Sequence, residues 1–155
     1  MILESTMIDI IGRFDVFNAA FFMEFISAIA FPVFTVSIAF MKGGQAKIDA
    51  AALLLTTVSF SIFFQNFFAR PRPAGAINHA ESPYSFPSTH SSSAFAWAEF
   101  MGIKYVRYKL LFFAFAALVA VSRVYIGVHY PVDVITGAIL GWFIGKIITR
   151  AEREF

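Results

Sequence analysis

Long apolar runs alternate with short polar stretches along this chain. Two of the runs, residues 20–41 and 48–68, are close to the ~20 residues that cross a bilayer core. Three more apolar helices are predicted at residues 88–105, 108–124 and 131–150, and almost none of these segments has a repeating polar face. The pattern therefore predicts an all-α fold, a multi-pass transmembrane helical bundle of about five spans.

The N-terminal residues follow a different pattern. Apolar positions recur at helical spacing over residues 3–17, with acidic and basic residues between them. This spacing is typical of an amphipathic helix that lies on a membrane surface, and a partner-binding helix is the alternative. We therefore expect a single domain over residues 1–155, with an interfacial helix at 1–19 and a transmembrane core at 20–150.

The composition agrees with a membrane protein and excludes several other classes. Hydrophobic residues make up 59% of the 155 residues and charged residues only 14%, whereas soluble domains contain about 25% charged residues. The net charge of +2 is small, and the basic residues lie at segment ends, which argues against a nucleic-acid partner. Because the chain has no cysteine, disulfides and thiolate chemistry are excluded.

The basic residues divide between the two ends of the alternating spans. One end of the predicted bundle carries Lys42, Lys47, Lys104, Arg107, Lys109, Lys146, Arg150 and Arg153. The other end carries Arg13, Arg70, Arg72 and Arg123. Lysine and arginine favour the cytoplasmic side, so the lysine-rich end is expected there, in the cell membrane. The polar clusters around residues 70–73, 87–90 and 122–133 would then meet at the outer face.

The stretch 122–133 combines ionisable residues between two apolar runs, and such residues beside a bilayer indicate a functional site. Asp133 follows His129 by four positions, so its carboxylate could reach back to one imidazole nitrogen. That contact would leave the other nitrogen free to attack and would stabilise the ring as it becomes positive. His129 is therefore the predicted nucleophile and Asp133 its orienting partner.

Two arginines and the start of a predicted helix have the chemistry of a phosphate site. Arg72 and Arg123 are permanent cations that bind phosphate oxygens with two hydrogen bonds. Ser88 is predicted to cap a helix, and the free N–H groups that follow, from Thr89 onward, would bind an anion. His90, in the first turn of that helix, is placed to protonate a departing oxygen.

Zinc binding is the alternative use of His90, His129 and Asp133. No cysteine or fourth carboxylate ligand is evident beside them, and the neighbouring arginines would repel a metal cation. The pattern therefore favours a phosphate site with no metal and no other cofactor. His79 and Glu81 are interpreted as solvated loop residues.

Three blocks of the sequence resemble the signature of the type 2 phosphatidic acid phosphatases, integral-membrane lipid phosphate phosphatases. The family's third block, S-R-x5-H-x3-D, is matched at every fixed position by residues 122–133. Its second block, P-S-G-H, is matched by residues 87–90, except that Thr89 replaces glycine. Its first block, K-x6-R-P, finds its Arg-Pro at Arg72, with Gln65 at the lysine position.

The resemblance implies a role for each matched residue. His129 would form a phosphohistidine with Asp133 as its partner, and His90 would protonate the leaving group and then activate water. The phosphoryl oxygens would be held by Arg72, Ser88 and Arg123. The implied function is hydrolysis of a phosphate monoester or diphosphate on a phospholipid or polyprenyl phosphate, without a metal. A lipid phosphotransferase and a non-catalytic lipid-phosphate-binding membrane protein are the alternatives.

The sequence departs from this signature at two positions. Gln65 donates hydrogen bonds but carries no charge, so one cation in the phosphate site is missing. Arg70 is a candidate replacement, although a headgroup anchor at the membrane surface is its other interpretation. Thr89 adds a β-carbon beside the phosphate site.

Glycines recur every fourth residue on the last predicted helix, at Gly137, Gly141 and Gly145. Such a small-residue face suits close helix packing. The contact could lie within the molecule or between protomers of a homo-oligomer.

Overall fold

The computed structural model of the chain describes residues 2–73 and 82–154, and this part is all-helical. Its helices are α1 (Ile2–Phe40), α2 (Gly44–Phe68), α3 (Thr89–Lys104), α4 (Lys109–Tyr125) and α5 (Pro131–Glu154), with a 3-10 turn (Val106–Tyr108) before α4. The described residues form no strand beyond an isolated bridge between Pro71 and Tyr84. The predicted all-α fold is confirmed.

Helix α1 joins two segments that the sequence pattern separates. The predicted interfacial helix, residues 1–19, and the predicted first span run on as one continuous helix over Ile2–Phe40. The part of α1 apolar enough to cross a membrane is Ala19–Phe40. The side chains before residue 19 lie outside the described residues, so the position of that segment on the membrane stays a prediction.

The helices form a multi-pass membrane bundle around a buried centre. Helices long and apolar enough to span are Ala19–Phe40, Gly44–Phe68, Val106–Tyr125 and Pro131–Arg150. The central helix, α3, is shorter at 16 residues, and most of these are buried. Its polar serines are tolerated because helices, rather than lipid, cover them. The fifth span that the sequence predicts would be α3, and that part of the prediction is not tested.

Helix α5 packs against α3 through its glycines. A β-carbon on Gly141 would lie 1.9 Å from the carbonyl oxygen of Ser92. A β-carbon on Gly137 would lie 2.7 Å from the carbonyl oxygen of Ser88, and one on Gly145 would lie 2.9 Å from that of Ala96. Gly137, Gly141 and Gly145 therefore pack within the molecule, against α3 and its N-cap, and a homo-oligomer stays a prediction.

The alternating helices bring four helix ends to one end of the bundle. Helix α2 ends there, α3 begins there, α4 ends there and α5 begins there. Backbone hydrogen bonds join the connecting segments: the N–H of Ser85 donates to the carbonyl of Arg70 at 2.9 Å, and that of Ser88 donates to the carbonyl of Asp133 at 3.0 Å. The three polar clusters of the sequence therefore meet at this end.

Candidate active site

A cavity of about 180 Å³ lies where these helix ends meet. Of the described residues, its polar wall consists of Gln65, Arg72, Ser82, Thr89, His90 and Arg123. Its apolar wall consists of Phe31 from α1 and Val58 and Ile62 from α2. A cavity with one polar and one apolar wall suits a ligand that has a polar head and an apolar tail.

His129 precedes α5 and is 3% exposed. Its Nδ1 lies 2.8 Å from the carbonyl oxygen of Ser85, and its Nε2 lies 3.2 Å from Nη1 of Arg72. A carbonyl only accepts hydrogen bonds and a guanidinium only donates them. The two contacts therefore place the ring proton on Nδ1 and leave the lone pair on Nε2. This is the tautomer that a nucleophilic Nε2 requires.

Asp133 holds His129 less directly than the sequence predicts. Its Oδ2 lies 3.6 Å from Nδ1 of His129, which is longer than a hydrogen bond. The same oxygen accepts a hydrogen bond from the backbone N–H of Tyr130 at 2.9 Å. The expected hydrogen bond between carboxylate and imidazole is thus replaced by the Ser85 carbonyl, and Asp133 remains as a fully buried anion beside the ring.

Arg70 occupies a different place from the one predicted. Its Nη1 donates to Oδ1 of Asp133 at 2.7 Å, and its guanidinium lies 4.1 Å from the centre of the Tyr130 ring. Among the described residues that line the cavity, Arg70 is not included. It therefore holds Asp133 and does not supply the cation that Gln65 lacks, because its guanidinium is directed to the carboxylate.

The other two arginines, Arg72 and Arg123, lie at the cavity. Arg72 donates from Nε to the carbonyl of Ser82 at 2.8 Å and from Nη1 to that of Val128 at 2.9 Å. Arg123, 9% exposed, donates from Nη1 to the hydroxyl of Ser27 on α1. Both arginines line the cavity, and both are positioned by hydrogen bonds.

The start of α3 forms the floor of the cavity. Ser88 is the predicted N-cap, and its hydroxyl accepts from the backbone N–H of Ser91 at 3.4 Å. Ser88 is fully buried and is not among the described residues that line the cavity, so its contact with phosphate stays a prediction. Thr89 and His90 line the cavity beside it. The ring of His90 packs edge-on against Phe31, with ring centres 5.0 Å apart.

Burial in this site lowers the pKa of His129 below its ordinary value. The charged imidazolium loses hydration when it is buried, and the nearby guanidinium groups of Arg72 and Arg123 also oppose it. Asp133 acts in the opposite direction and only partly offsets these effects. The ring is therefore neutral at pH 7, as a nucleophile must be.

Several features of the site were not predicted from the sequence. Ser82 and Ser85 contribute backbone carbonyls, which give no signal in a residue pattern. Ser27 lies on a distant apolar helix, where a single serine is unremarkable. His79 and Glu81 lie outside the described residues. Within the described part of the chain, no group of three His, Asp or Glu side chains is arranged to hold a metal ion.

The fold and the cavity define a multi-pass helical membrane protein whose cavity is lined by His90, Arg72 and Arg123, with His129 in contact with Arg72. The family model of the PAP2 superfamily matches residues 46–155, which is most of the chain. The chain belongs to the PAP2 superfamily. The resemblance of the three sequence blocks to the type 2 phosphatidic acid phosphatases is therefore confirmed.

Individual proteins of this superfamily are similar to the chain. Phosphatidylglycerophosphatase B of Haemophilus influenzae is 34% identical over 98 residues, 54% of this chain and 41% of the relative. Lipid A 1-phosphatase of Rhizobium etli is 32% identical over 124 residues, 66% of this chain and 53% of the relative. This chain thus spans about half the length of these curated relatives.

A solved structure shows the same fold. It is the crystal structure of the first transmembrane PAP2 type phosphatidylglycerolphosphate phosphatase from Bacillus subtilis, with a TM-score of 0.74 and 23% identity. The match covers 88% of this chain and 78% of that one. At this identity, the likeness establishes the fold alone.

Proposed function

We propose that this chain is an integral-membrane lipid phosphatase that acts through a phosphohistidine. The observation that carries the proposal is the tautomer of His129 and the position of its unprotonated nitrogen. Its Nδ1 is bonded to a carbonyl, and its unprotonated Nε2 lies 3.2 Å from the guanidinium of Arg72, a residue of the cavity wall. Membership of the superfamily and the phosphatase names of the relatives support the same chemistry.

In the first step, Nε2 of His129 attacks the phosphorus and the bond to the ester oxygen breaks. His90 gives its proton to the departing oxygen, and the dianionic phosphate in the cavity favours the protonated form of this imidazole. Arg72 turns its N–H group from Nε2 to a phosphoryl oxygen as the substrate binds. The ring of His129 becomes positive, and the buried carboxylate of Asp133 stabilises it.

In the second step, water attacks the phosphohistidine. His90 takes a proton from this water, the bond between nitrogen and phosphorus breaks, and inorganic phosphate leaves with His129 restored. The guanidinium groups of Arg72 and Arg123 neutralise charge on the phosphoryl oxygens in both steps. Arginines supply the positive charge throughout, so the proposed mechanism uses no metal ion and no other cofactor.

The substrate is proposed to be a phosphate monoester or diphosphate on a phospholipid or polyprenyl phosphate. Phe31, Val58 and Ile62 make one wall of the cavity apolar, and Ile62 is 48% exposed on the outside of the bundle. A lipid tail would leave the cavity along this wall, between α1 and α2. The site would lie at the outer face of the cell membrane, because lysines concentrate at the other end of the bundle.

The test is phosphate release by purified protein in detergent from a panel of lipid monophosphates and diphosphates. We expect release by the wild type, none by His129→Ala, and unchanged release by Gln45→Ala, a control at the far end of α2. A wild type that releases nothing, or a fully active His129→Ala variant, would overturn the proposal. Transfer of the phosphoryl group to an added alcohol in place of water would identify a phosphotransferase.

A further inference from the structure

Gln65 is 3% exposed, and its amide is directed to the start of α3. Its Nε2 donates to the carbonyl of Pro87 at 2.9 Å and to the hydroxyl of Thr89 at 3.0 Å. A carbonyl only accepts, so the atom facing Pro87 is the amide nitrogen. An amide nitrogen carries two hydrogens. Both are used by these contacts, and Gln65 has no N–H left for a ligand in the cavity.

The hydroxyl hydrogen of Thr89, by contrast, remains able to donate to a ligand in the cavity. Its oxygen accepts from Gln65, so its own hydroxyl hydrogen is not part of that bond. Within the described part of the chain, the structure shows no acceptor for this hydrogen. The residue is half-buried and lines the cavity together with Arg72 and Arg123. A hydroxyl hydrogen rotates to suit an acceptor, and an entering phosphate oxygen would be one.

We propose that Gln65 and Thr89 form a neutral phosphate-binding pair, in which Gln65 holds the Thr89 oxygen and the Thr89 hydroxyl donates to a phosphate oxygen. Gln65 is then a positioning residue, and Thr89 is the group that contacts substrate. This inference rests on the proposed function only in taking the ligand of the cavity to be a phosphate.

The pair explains why the sequence departs from the family signature at two positions together. Glutamine stands at the lysine position and threonine at the glycine position, and the structure joins the two side chains by a hydrogen bond. A glycine at position 89 would leave one amide hydrogen of Gln65 unused in a buried place, which is costly. The two departures therefore amount to one change, which replaces a charged contact with a neutral one.

The test uses variants that separate the hydroxyl from the shape of the side chain. Thr89→Val keeps the shape and removes the hydroxyl, Thr89→Ser keeps the hydroxyl, and Gln65→Met keeps the length and removes the amide. Affinity for inorganic phosphate is measured by calorimetry on purified protein in detergent. Phosphate release from a lipid monophosphate gives kcat/KM for the same variants.

We expect Thr89→Val to weaken phosphate binding roughly tenfold, as loss of a hydrogen bond to a charged group would. Its kcat/KM should fall by about 10²-fold, the usual effect of removing a donor to a reacting phosphoryl or acyl oxygen. Thr89→Ser should stay within about threefold of the wild type for both quantities. Gln65→Met should lower both less than Thr89→Val does, and adding it to Thr89→Val should change nothing further.

Wild-type affinity and turnover in Thr89→Val would overturn the proposal, and so would losses that multiply in the double variant. If Gln65→Met fails to fold, the comparison of Thr89→Val with Thr89→Ser is sufficient to test whether the Thr89 hydroxyl binds phosphate. The proposed function fails separately: a wild type that releases no phosphate, while Thr89→Val still weakens phosphate binding, would leave the pair in place and reject the phosphatase.

Discussion

The carbonyl oxygen of Ser85 lies 2.8 Å from Nδ1 of His129, whereas the nearest carboxylate oxygen of Asp133 lies 3.6 Å from the same atom. A backbone carbonyl therefore fixes the tautomer of the proposed nucleophile, and the carboxylate acts through its charge. The sequence pattern assigns both tasks to Asp133. In the structure, the Ser85 carbonyl orients the ring and the charge of Asp133 is left to stabilise its positive form.

The protonation of His129 gives a first prediction. Burial and the two arginines lower its pKa, so the ring should gain a proton only at a pH below the ordinary histidine value of about 6.5. Turnover limited by this group should accordingly be lost as pH falls, not as it rises. Titration by NMR with histidine-labelled protein measures the midpoint, and His129→Gln assigns the signal. A midpoint above 6.5 would contradict the account.

Asp133→Asn separates orientation from charge. The variant should keep the hydrogen on Nδ1 of His129, because the Ser85 carbonyl remains, and ¹⁵N shifts of the ring report this directly. Phosphate release should fall on the order of 10²-fold, because the positive ring loses its anion. Asp49→Asn, at the far end of α2, serves as the control for a lost carboxylate. A change of tautomer in Asp133→Asn would show that the carboxylate orients the ring after all.

Ser27 extends the site to a helix outside the region matched by the family model. Its hydroxyl accepts from the guanidinium of Arg123, a residue of the cavity wall. Ser27→Ala should weaken inorganic phosphate binding roughly tenfold, since a hydrogen bond that positions a charged group is lost. Calorimetry measures the effect. Ser37→Ala, which removes a hydroxyl bonded to the backbone of the same helix, should leave affinity unchanged; equal losses in both variants would indicate a general effect on α1.

The packing of α5 on α3 gives a stability prediction. A β-carbon on Gly141 would lie 1.9 Å from the carbonyl oxygen of Ser92, so the two backbones must separate in Gly141→Ala. Overpacking of this kind destabilises by about 1–3 kcal/mol, and the melting temperature in detergent should fall clearly. Gly44→Ala, which meets nothing within 4 Å, is the matched control. Equal melting temperatures for both variants would contradict the close helix contact.

The sequence predicts the helices and the meeting of the polar clusters because both follow from local rules. Apolar runs fix the spans, and strict alternation of spans brings the residues around Arg72, His90 and His129 to one end. The helix start at Ser88 could also be predicted, since serine is a preferred N-cap. These features need no knowledge of how the helices pack.

The remaining contacts depend on packing and could not be predicted. Arg70 pairs with Asp133 across 63 positions of sequence, and no local pattern distinguishes that from a contact with phosphate. The glycine face of α5 is equally suited to a partner chain or to α3, and only the fold decides between them. The bond between Gln65 and Thr89 likewise joins α2 to α3 and is visible only in three dimensions.

The central claim is that His129 carries the phosphoryl group. His90→Ala gives the best background, because water activation is impaired and the phosphorylated protein should accumulate. An aryl phosphate with a lipid tail is the substrate, since its leaving group needs no proton. The protein is quenched during turnover and its peptides are mapped by mass spectrometry. The account predicts a phosphoryl group on His129 and none after the further change His129→Asn; turnover with no phosphorylated histidine, or with the label on another residue, would contradict it.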